Sequence, residues 1–308
     1  MKDISKVLVC GGGMMGKNIA LVLTADPAVS VTVYDVKDGG VLAGIADSAR
    51  QLAESGLLDP TSMEERLRRI SFIDTLDHPA AAEADIVFEA VFEDMAVKQQ
   101  LFLDLEQRCR PDAIFCTNSS VMSPTEISSV LTRRERFVGT HFWNPAHLIP
   151  LVEVVRSDAT APETADAVMA LLERVGKEPV LCKKDVPGFI ANRMQHALWR
   201  EAISIVERGI ADAETVDKAV RCSFGMRLPR LGPMENADMV GLDLTYNIHS
   251  YILKDLEDSH EPSPLLKELM EEGKLGFKTG EGFRRWTAGE AAQERTALTD
   301  YLERSLHA

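Results

Sequence analysis

The residues in this chain best suited to chemistry are a histidine closing one apolar run and a carboxylate inside the next. Arg136-Phe137-Val138-Gly139-Thr140 leads into His141. After Phe142-Trp143-Asn144-Pro145 and a short turn comes Pro150-Leu151-Val152-Glu153-Val154-Val155. Both runs read as short buried strands. Period-two alternation puts Leu151, Glu153 and Val155 on one face of the second, and Val152 and Val154 on the other. A glutamate flanked by Leu and Val is costly to bury unless a cation or hydrogen-bond donor meets it, and His141 is the nearest candidate in sequence. A His–Glu pair at the mouth of a sheet would suit general-base chemistry. The same residues also describe a surface histidine beside an edge-strand glutamate. The pair alone leaves both readings open.

The elements that must position such a pair begin at the N-terminus. Lys6-Val7-Leu8-Val9-Cys10 is an apolar run that stops at Gly11-Gly12-Gly13-Met14-Met15-Gly16, and a helical pattern starts with Asn18-Ile19-Ala20-Leu21-Val22-Leu23. Strand, G-x-G-x-x-G and helix stand in the order of a dinucleotide-binding turn. Gly11 would make the turn, Gly13 would let a pyrophosphate approach, and Gly16 would pack helix on sheet. The helix N-terminus, through Met14 and Met15, would offer free N–H groups and a positive dipole end. The next strand, Ser30-Val31-Thr32-Val33-Tyr34, ends at Asp35. An acid about 20 residues beyond the glycines accepts from ribose hydroxyls and repels a 2′-phosphate, which favours NAD over NADP despite the nearby Lys37.

Two helical patterns between Val41 and Arg69, broken at Ser55-Gly56 and Asp59-Pro60, form a helix–turn–helix excursion longer than a simple crossover needs. Strands resume at Ile70–Ile73 and Asp85–Val91. Glu93 and Lys98 then stand at the head of a helix over Ala96–Gln107, where Glu93 also fits an ordinary helix-start acid. Ile114-Phe115-Cys116-Thr117 ends at Asn118-Ser119-Ser120, small polar residues where open α/β sheets bind ligands. The His141 and Glu153 strands and Glu178–Cys182 complete the sheet. From Phe189 onward the pattern is mostly helical, opening with a long helix to Arg208 closed by Gly209. The expected architecture is an α/β Rossmann-type domain over 1–185, with a mostly parallel, doubly wound sheet carrying the excursion. A smaller all-α domain follows over 186–308. Its helices are too few and too apolar to hide from water alone, so homodimerisation through it is expected.

Composition narrows the partners. The chain has 308 residues, 45% of them hydrophobic, and a formal net charge of −14. That balance disfavours nucleic acid and anionic membranes and leaves any anionic ligand to local donors. The five cysteines show no C-x-x-C spacing, so neither a disulfide framework nor a zinc site is expected. No apolar run is long enough for a membrane span and no signal-peptide pattern precedes the first strand, so a soluble cytoplasmic protein is the expectation.

Over essentially its whole length the chain resembles the 3-hydroxyacyl-CoA dehydrogenase family. The matching segments are the Gly11–Gly16 turn, Glu89-Ala90-Val91-Phe92-Glu93, Lys98, Asn118-Ser119-Ser120, His141 with Asn144-Pro145, and Leu151-Val152-Glu153. Pro187-Gly188-Phe189 with Asn192-Arg193, Gly232-Pro233, Gly241-Leu242-Asp243 and Lys278-Thr279-Gly280-Glu281-Gly282-Phe283 extend the match. The resemblance implies that His141 takes the substrate hydroxyl proton while hydride leaves for NAD, and that Glu153 orients it. It implies that Ser120 and Asn192 hold the substrate oxygen, that Glu93, Lys98 and Asn118 line the nicotinamide and its ribose, and that the helical domain dimerises.

The departures bear on the substrate. In acyl-CoA members the excursion is rich in lysine and meets the CoA phosphates. Here Ser48-Ala49-Arg50-Gln51-Leu52-Ala53-Glu54-Ser55 has one base, with Asp59, Glu64 and Glu65 following, although Arg66, Arg68 and Arg69 keep a phosphate site open. Leu148-Ile149-Pro150 stands where those enzymes carry a lysine. Phe224-Gly225-Met226-Arg227-Leu228-Pro229-Arg230-Leu231-Gly232-Pro233 is longer than their pattern and adds two arginines. A Gly-Met-Arg step before Gly-Pro resembles the free-acid branch of the family, which includes L-gulonate 3-dehydrogenase with its lens crystallin relative, L-carnitine 3-dehydrogenase and a pyridine-carboxylate dehydrogenase. Arg227 is then the expected bidentate clamp on a free carboxylate, with Arg230 as an outside candidate. His147 and His196 read as structural. The leading expectation is NAD-dependent oxidation of the β-hydroxyl of a small carboxylate-bearing acid. The alternatives are a 3-hydroxybutyryl-CoA-type thioester, an aromatic aldehyde acid, and a non-catalytic crystallin-like protein.

Overall fold

The structure is a computed structural model and describes residues 4–306. Its strands are β1 (Lys6–Cys10), β2 (Ser30–Tyr34), β3 (Ile70–Ile73), β4 (Ile86–Glu89), β5 (Ile114–Thr117), β6 (Phe137–Phe142), β7 (Leu151–Arg156) and β8 (Glu178–Cys182). They form one sheet in the order β3-β2-β1-β4-β5-β6-β7-β8. Neighbours from β3 to β6 are parallel, because a helix or an excursion carries the chain back between them. The short loop after Phe142 contains no helix, so β7 returns antiparallel to β6, and β8 runs parallel to β7. The inner strands are buried on both faces, as in a sheet covered on both sides.

The helices of this part are α1 (Met14–Leu23), α2 (Val41–Glu54), α3 (Pro60–Arg68), α4 (Pro79–Ala82), α5 (Met95–Arg108), α6 (Pro124–Ser128) and α7 (Pro162–Arg174). One face of the sheet packs against α1, α2 and α7 through residues such as Ile19, Leu23, Ile45, Leu52, Val168 and Leu172. The other packs against α4, α5 and α6 through Ala81, Phe102, Leu105 and Ile127. The helix–turn–helix excursion is α2 and α3. It is folded down onto the core, with Val41, Ile45, Ala49 and Leu52 buried along α2.

The remaining helices are α8 (Ala191–Glu207), α9 (Ala213–Arg221), α10 (Pro233–Val240), α11 (Leu242–Ile252), α12 (Pro264–Glu271) and α13 (Ala288–Leu306). The chain divides into two compact units, Met1–Ala191 with Asp300–Ala308, and Asn192–Thr299. The first unit therefore runs past the boundary expected at residue 185. Phe189 packs with Val155 and Cys182, and the Ile190 and Ala191 N–H groups are held by Glu153, so the linker belongs to the sheet. The last turns of α13 also return to the first unit, where Leu302 packs on its core. Within the second unit only Ser204 and Ala291 are buried, and Trp199, Met226, Tyr246 and Tyr251 are among many exposed apolar side chains.

Candidate active site

The cofactor turn is shaped by two contacts that only glycine permits. Gly11 has φ +110°, and a Cβ there would lie 2.5 Å from the Ala90 carbonyl oxygen at the end of β4. At Gly16 a Cβ would lie 1.8 Å from the Gly11 carbonyl oxygen, so α1 can start this close to the turn only without a side chain. Gly13, the N-cap of α1, would place a Cβ in open space, and no side chain caps the helix. An open, uncapped N-terminus flanked by Met14 and Met15 fits a pyrophosphate. The Asp35 carboxylate accepts from the Gly12 N–H at 2.7 Å and from the Lys37 N–H at 3.2 Å. These bonds lock it beside the turn, with acceptor capacity left for a ribose.

A buried ionic network joins β4, α5 and β5. The Lys98 ammonium, 1% exposed, lies 2.5 Å from Glu89 and 3.1 Å from Glu93. Glu89 also accepts from the Thr117 hydroxyl at 2.6 Å and the Val91 N–H at 2.8 Å. Glu93, partly exposed, accepts from the Ser119 hydroxyl. Burial alone would raise the Glu93 pKa, but its bonds to Ser119 and Lys98 outweigh that and hold it below the ordinary range. Lys98 is thus turned inward, where it fixes Glu93 instead of lining an open surface. Asn118 accepts the Phe142 N–H on its Oδ1 at 2.9 Å, which leaves its amide N–H groups for another partner. The half-buried Ser120 hydroxyl has no hydrogen-bond partner among the described residues.

His141 and Glu153 are paired directly across β6 and β7. Nδ1 of His141 lies 2.8 Å from the Glu153 Oε2, which also accepts from the Trp143 indole N–H at 3.3 Å. Oε1 accepts from the Ile190 and Ala191 N–H groups at 2.9 and 3.0 Å. The linker reaches that position through left-handed backbone at Gly188 and at Phe189, the latter with φ +49°. For a phenylalanine this is strained, and burial of its ring beside His141, with centroids 5.7 Å apart, holds it there. Glu153 is fully buried, and burial would raise its pKa. Hydrogen bonds from His141, Ala191 and Ile190 overcome that and hold the carboxyl below the ordinary range. An ionised carboxylate accepts only, so the proton of a neutral His141 sits on Nδ1. Nε2 keeps its lone pair and has no partner among the described residues.

The first unit thus brings together His141 with Glu153, and Glu93, Lys98 and Ser119 with one another. Asn192 and Arg227 lie in the second unit, Asn192 in the first turn of α8 and Arg227 exposed after a 3-10 turn at Phe224–Met226. Residue-by-residue reading missed Glu89, Thr117 and Trp143. A glutamate ending an otherwise apolar strand nine residues before a lysine was the available signal for the first.

Comparison with known proteins identifies the family. Residues 6–186 match the NAD binding domain of 3-hydroxyacyl-CoA dehydrogenase, and residues 188–286 match its C-terminal domain. The chain belongs to the 3-hydroxyacyl-CoA dehydrogenase family. It is 40% identical over 285 residues to a "Probable 3-hydroxybutyryl-CoA dehydrogenase" of Bacillus subtilis, covering 91% of this chain and 97% of the relative. Its structure is similar to that of 5-formyl-3-hydroxy-2-methylpyridine 4-carboxylic acid 5-dehydrogenase, an NAD+ dependent dismutase. The TM-score is 0.89 at 30% identity, with 98% and 97% of the two chains covered. A second similar structure is (S)-3-hydroxybutyryl-CoA dehydrogenase from Ralstonia eutropha, with TM-score 0.78, 29% identity and coverage of 92% and 100%. This family member is therefore an NAD-dependent dehydrogenase with a Rossmann-type domain and a helical C-terminal domain. No helix among the described residues is long and apolar enough to cross a membrane.

Proposed function

We propose that this dehydrogenase oxidises the β-hydroxyl of a small hydroxy acid bearing a free carboxylate. Bound NAD supplies the hydride acceptor. His141 Nε2 takes the hydroxyl proton as the C–H hydride leaves and the carbonyl forms, and Glu153 stabilises the imidazolium through Nδ1. Ser120 and Asn192 hold the substrate oxygen. Glu93 and Asn118 face the nicotinamide and its ribose, with Lys98 acting through Glu93. Arg227 clamps the carboxylate, and Arg230 remains the outside candidate. Neither arginine has an ion-pair partner among the described residues, in a chain with 48 acidic side chains. Homodimerisation through the second unit belongs to the same reading, supported by its nearly absent core and exposed apolar side chains. So does a cytoplasmic site, supported by five unpaired cysteines.

The observation that carries the free-acid reading is the fate of the three excursion arginines that could have met CoA phosphates. Arg69 donates to the Thr24, Asp26 and Val29 carbonyls at 2.6–2.7 Å. Arg68 pairs with Glu64 at 3.2 Å, and Arg66 is half-buried at a cavity beside α1 and α2. These three arginines have three different fates and do not form one exposed phosphate cradle for a polyanionic arm. A second reading, an aldehyde on an aromatic acid, is favoured by the likeness to the pyridine-carboxylate enzyme and would use the same base on a hydrated carbonyl. NADH formation across free 3-hydroxy acids, 3-hydroxybutyryl-CoA and aromatic aldehyde acids tests the assignment. Turnover confined to free acids supports it, and rapid turnover of the thioester alone overturns it.

A further inference from the structure

The first unit contains a cavity of about 180 Å³ that neither the cofactor turn nor the His141–Glu153 pair uses. Its buried walls come from α1, α2, the turn between α2 and α3 and the segment after α7, with Leu21, Val22, Leu52, Leu58 and Val175 among them. Arg66, His147 and Lys177 line it from three different segments. No acidic residue among the described residues lines it. The Arg66 side chain has no acceptor among the described residues, and its pKa is lowered by burial and by Arg69. Nδ1 of His147 is buried without a hydrogen-bond partner. Among the described residues the Lys177 ammonium, 7% exposed, bonds only to the Ala146 and Ile149 carbonyls, at 2.5 and 2.8 Å, and burial lowers its pKa to about 8. A buried cation that meets only neutral carbonyls, beside a half-buried guanidinium and an orphaned imidazole nitrogen, lacks an anion among the described residues. The remaining wall is hydrocarbon, so the anion that fits carries an aliphatic tail.

We propose that this cavity is a second ligand site, taking a short-chain aliphatic monocarboxylate with its head at Arg66, His147 and Lys177 and its tail against Leu21, Val22 and Leu58. Dry cavities of about 150 Å³ accept a benzene-sized ligand, so a carboxylate of about four to six carbons matches the space. The site stands on its own residues and does not depend on the substrate assigned above. His147 and Leu148 lie on the loop that leaves His141, so occupancy would be felt at the start of β7.

Calorimetric titration of hexanoate into the NAD-loaded enzyme tests this, with hexanamide as the neutral analogue. One equivalent of hexanoate is expected to bind, hexanamide about tenfold or more weakly. Arg66→Gln, a change at a partly exposed side chain, is expected to weaken hexanoate by a similar factor and to leave turnover without hexanoate unchanged. Ala25→Leu, which fills the cavity, is expected to abolish that equivalent, with melting curves reporting its fold. Arg227→Ala is expected to leave it intact. Absence of binding, binding indifferent to Arg66→Gln, or binding lost only in Arg227→Ala would each overturn the proposal.

Discussion

His141 and Glu153 stand directly opposite each other on two antiparallel strands, and their side chains meet at 2.8 Å on a carboxylate that takes three further N–H donors. The carboxylate therefore fixes the histidine tautomer and ties the linker after β8 to the sheet. Glu153→Gln keeps the volume but replaces one acceptor oxygen with a donor facing N–H groups. Turnover is expected to fall by roughly 10²–10⁴-fold, as when the acid of a catalytic triad is neutralised. Stability is expected to fall by about 1–3 kcal/mol from the unpaired donors. Steady-state kinetics and urea unfolding of the same preparation separate the two effects.

The Lys98 network makes a different prediction. Lys98→Met leaves Glu89, fully buried, without its cation. Removing one partner of a buried pair costs about 3–5 kcal/mol. The expected outcome is a lower melting temperature and a raised KM for NAD, because Glu93 loses its anchor. A KM for NAD that stays at the wild-type value would separate the network from the cofactor.

Asp35 holds the Gly12 N–H and faces the space beyond the turn. Asp35→Ala is expected to raise the KM for NAD by the worth of a charged hydrogen bond, about 1.5–3 kcal/mol or roughly 10–150-fold. It should also narrow the preference over NADP, since the repelling charge is gone. Paired measurements with both cofactors check the ratio.

Arg227→Ala is expected to raise the KM for a free acid by the same 1.5–3 kcal/mol, roughly. The effect should vanish for the matching amide, which offers no carboxylate to the fork. An unchanged KM would remove Arg227 from the substrate site.

Stability should depend on pH through His147. Burial and the Lys177 charge lower its pKa from 6.5 to about 4, so the folded state keeps the ring neutral where the unfolded chain protonates it. The resulting stability is present above pH 6.5 and is lost as pH falls towards 4. It amounts to roughly 3 kcal/mol at most. Urea unfolding at pH 7 and pH 5 should show this loss in the wild type and a smaller one in His147→Gln.

The cofactor half and the His141–Glu153 contact were legible because each is written locally. Gly11 to Gly16 announce their turn by spacing, and the alternation around Glu153 places a lone carboxylate on the face that meets His141. What the sequence hid was contact between distant segments. Nothing in Arg66, Arg68 and Arg69 says that only the last is consumed by three carbonyls. Nothing in Pro187-Gly188-Phe189 says that a left-handed phenylalanine delivers two N–H groups to Glu153. The first compact unit runs to Ala191, a few residues beyond the break expected near residue 185. The change from alternating to helical pattern is visible in sequence, but the hydrogen bonds that assign the linker to the sheet are not.

The proton-relay assignment rests most directly on His141 itself. Single-turnover NADH formation by His141→Ala at saturating NAD and substrate, with NAD affinity measured in parallel, is the decisive measurement. The account predicts a loss of roughly 10²–10⁴-fold in the chemical step with NAD affinity unchanged. A variant that still forms NADH at close to the wild-type rate would contradict it.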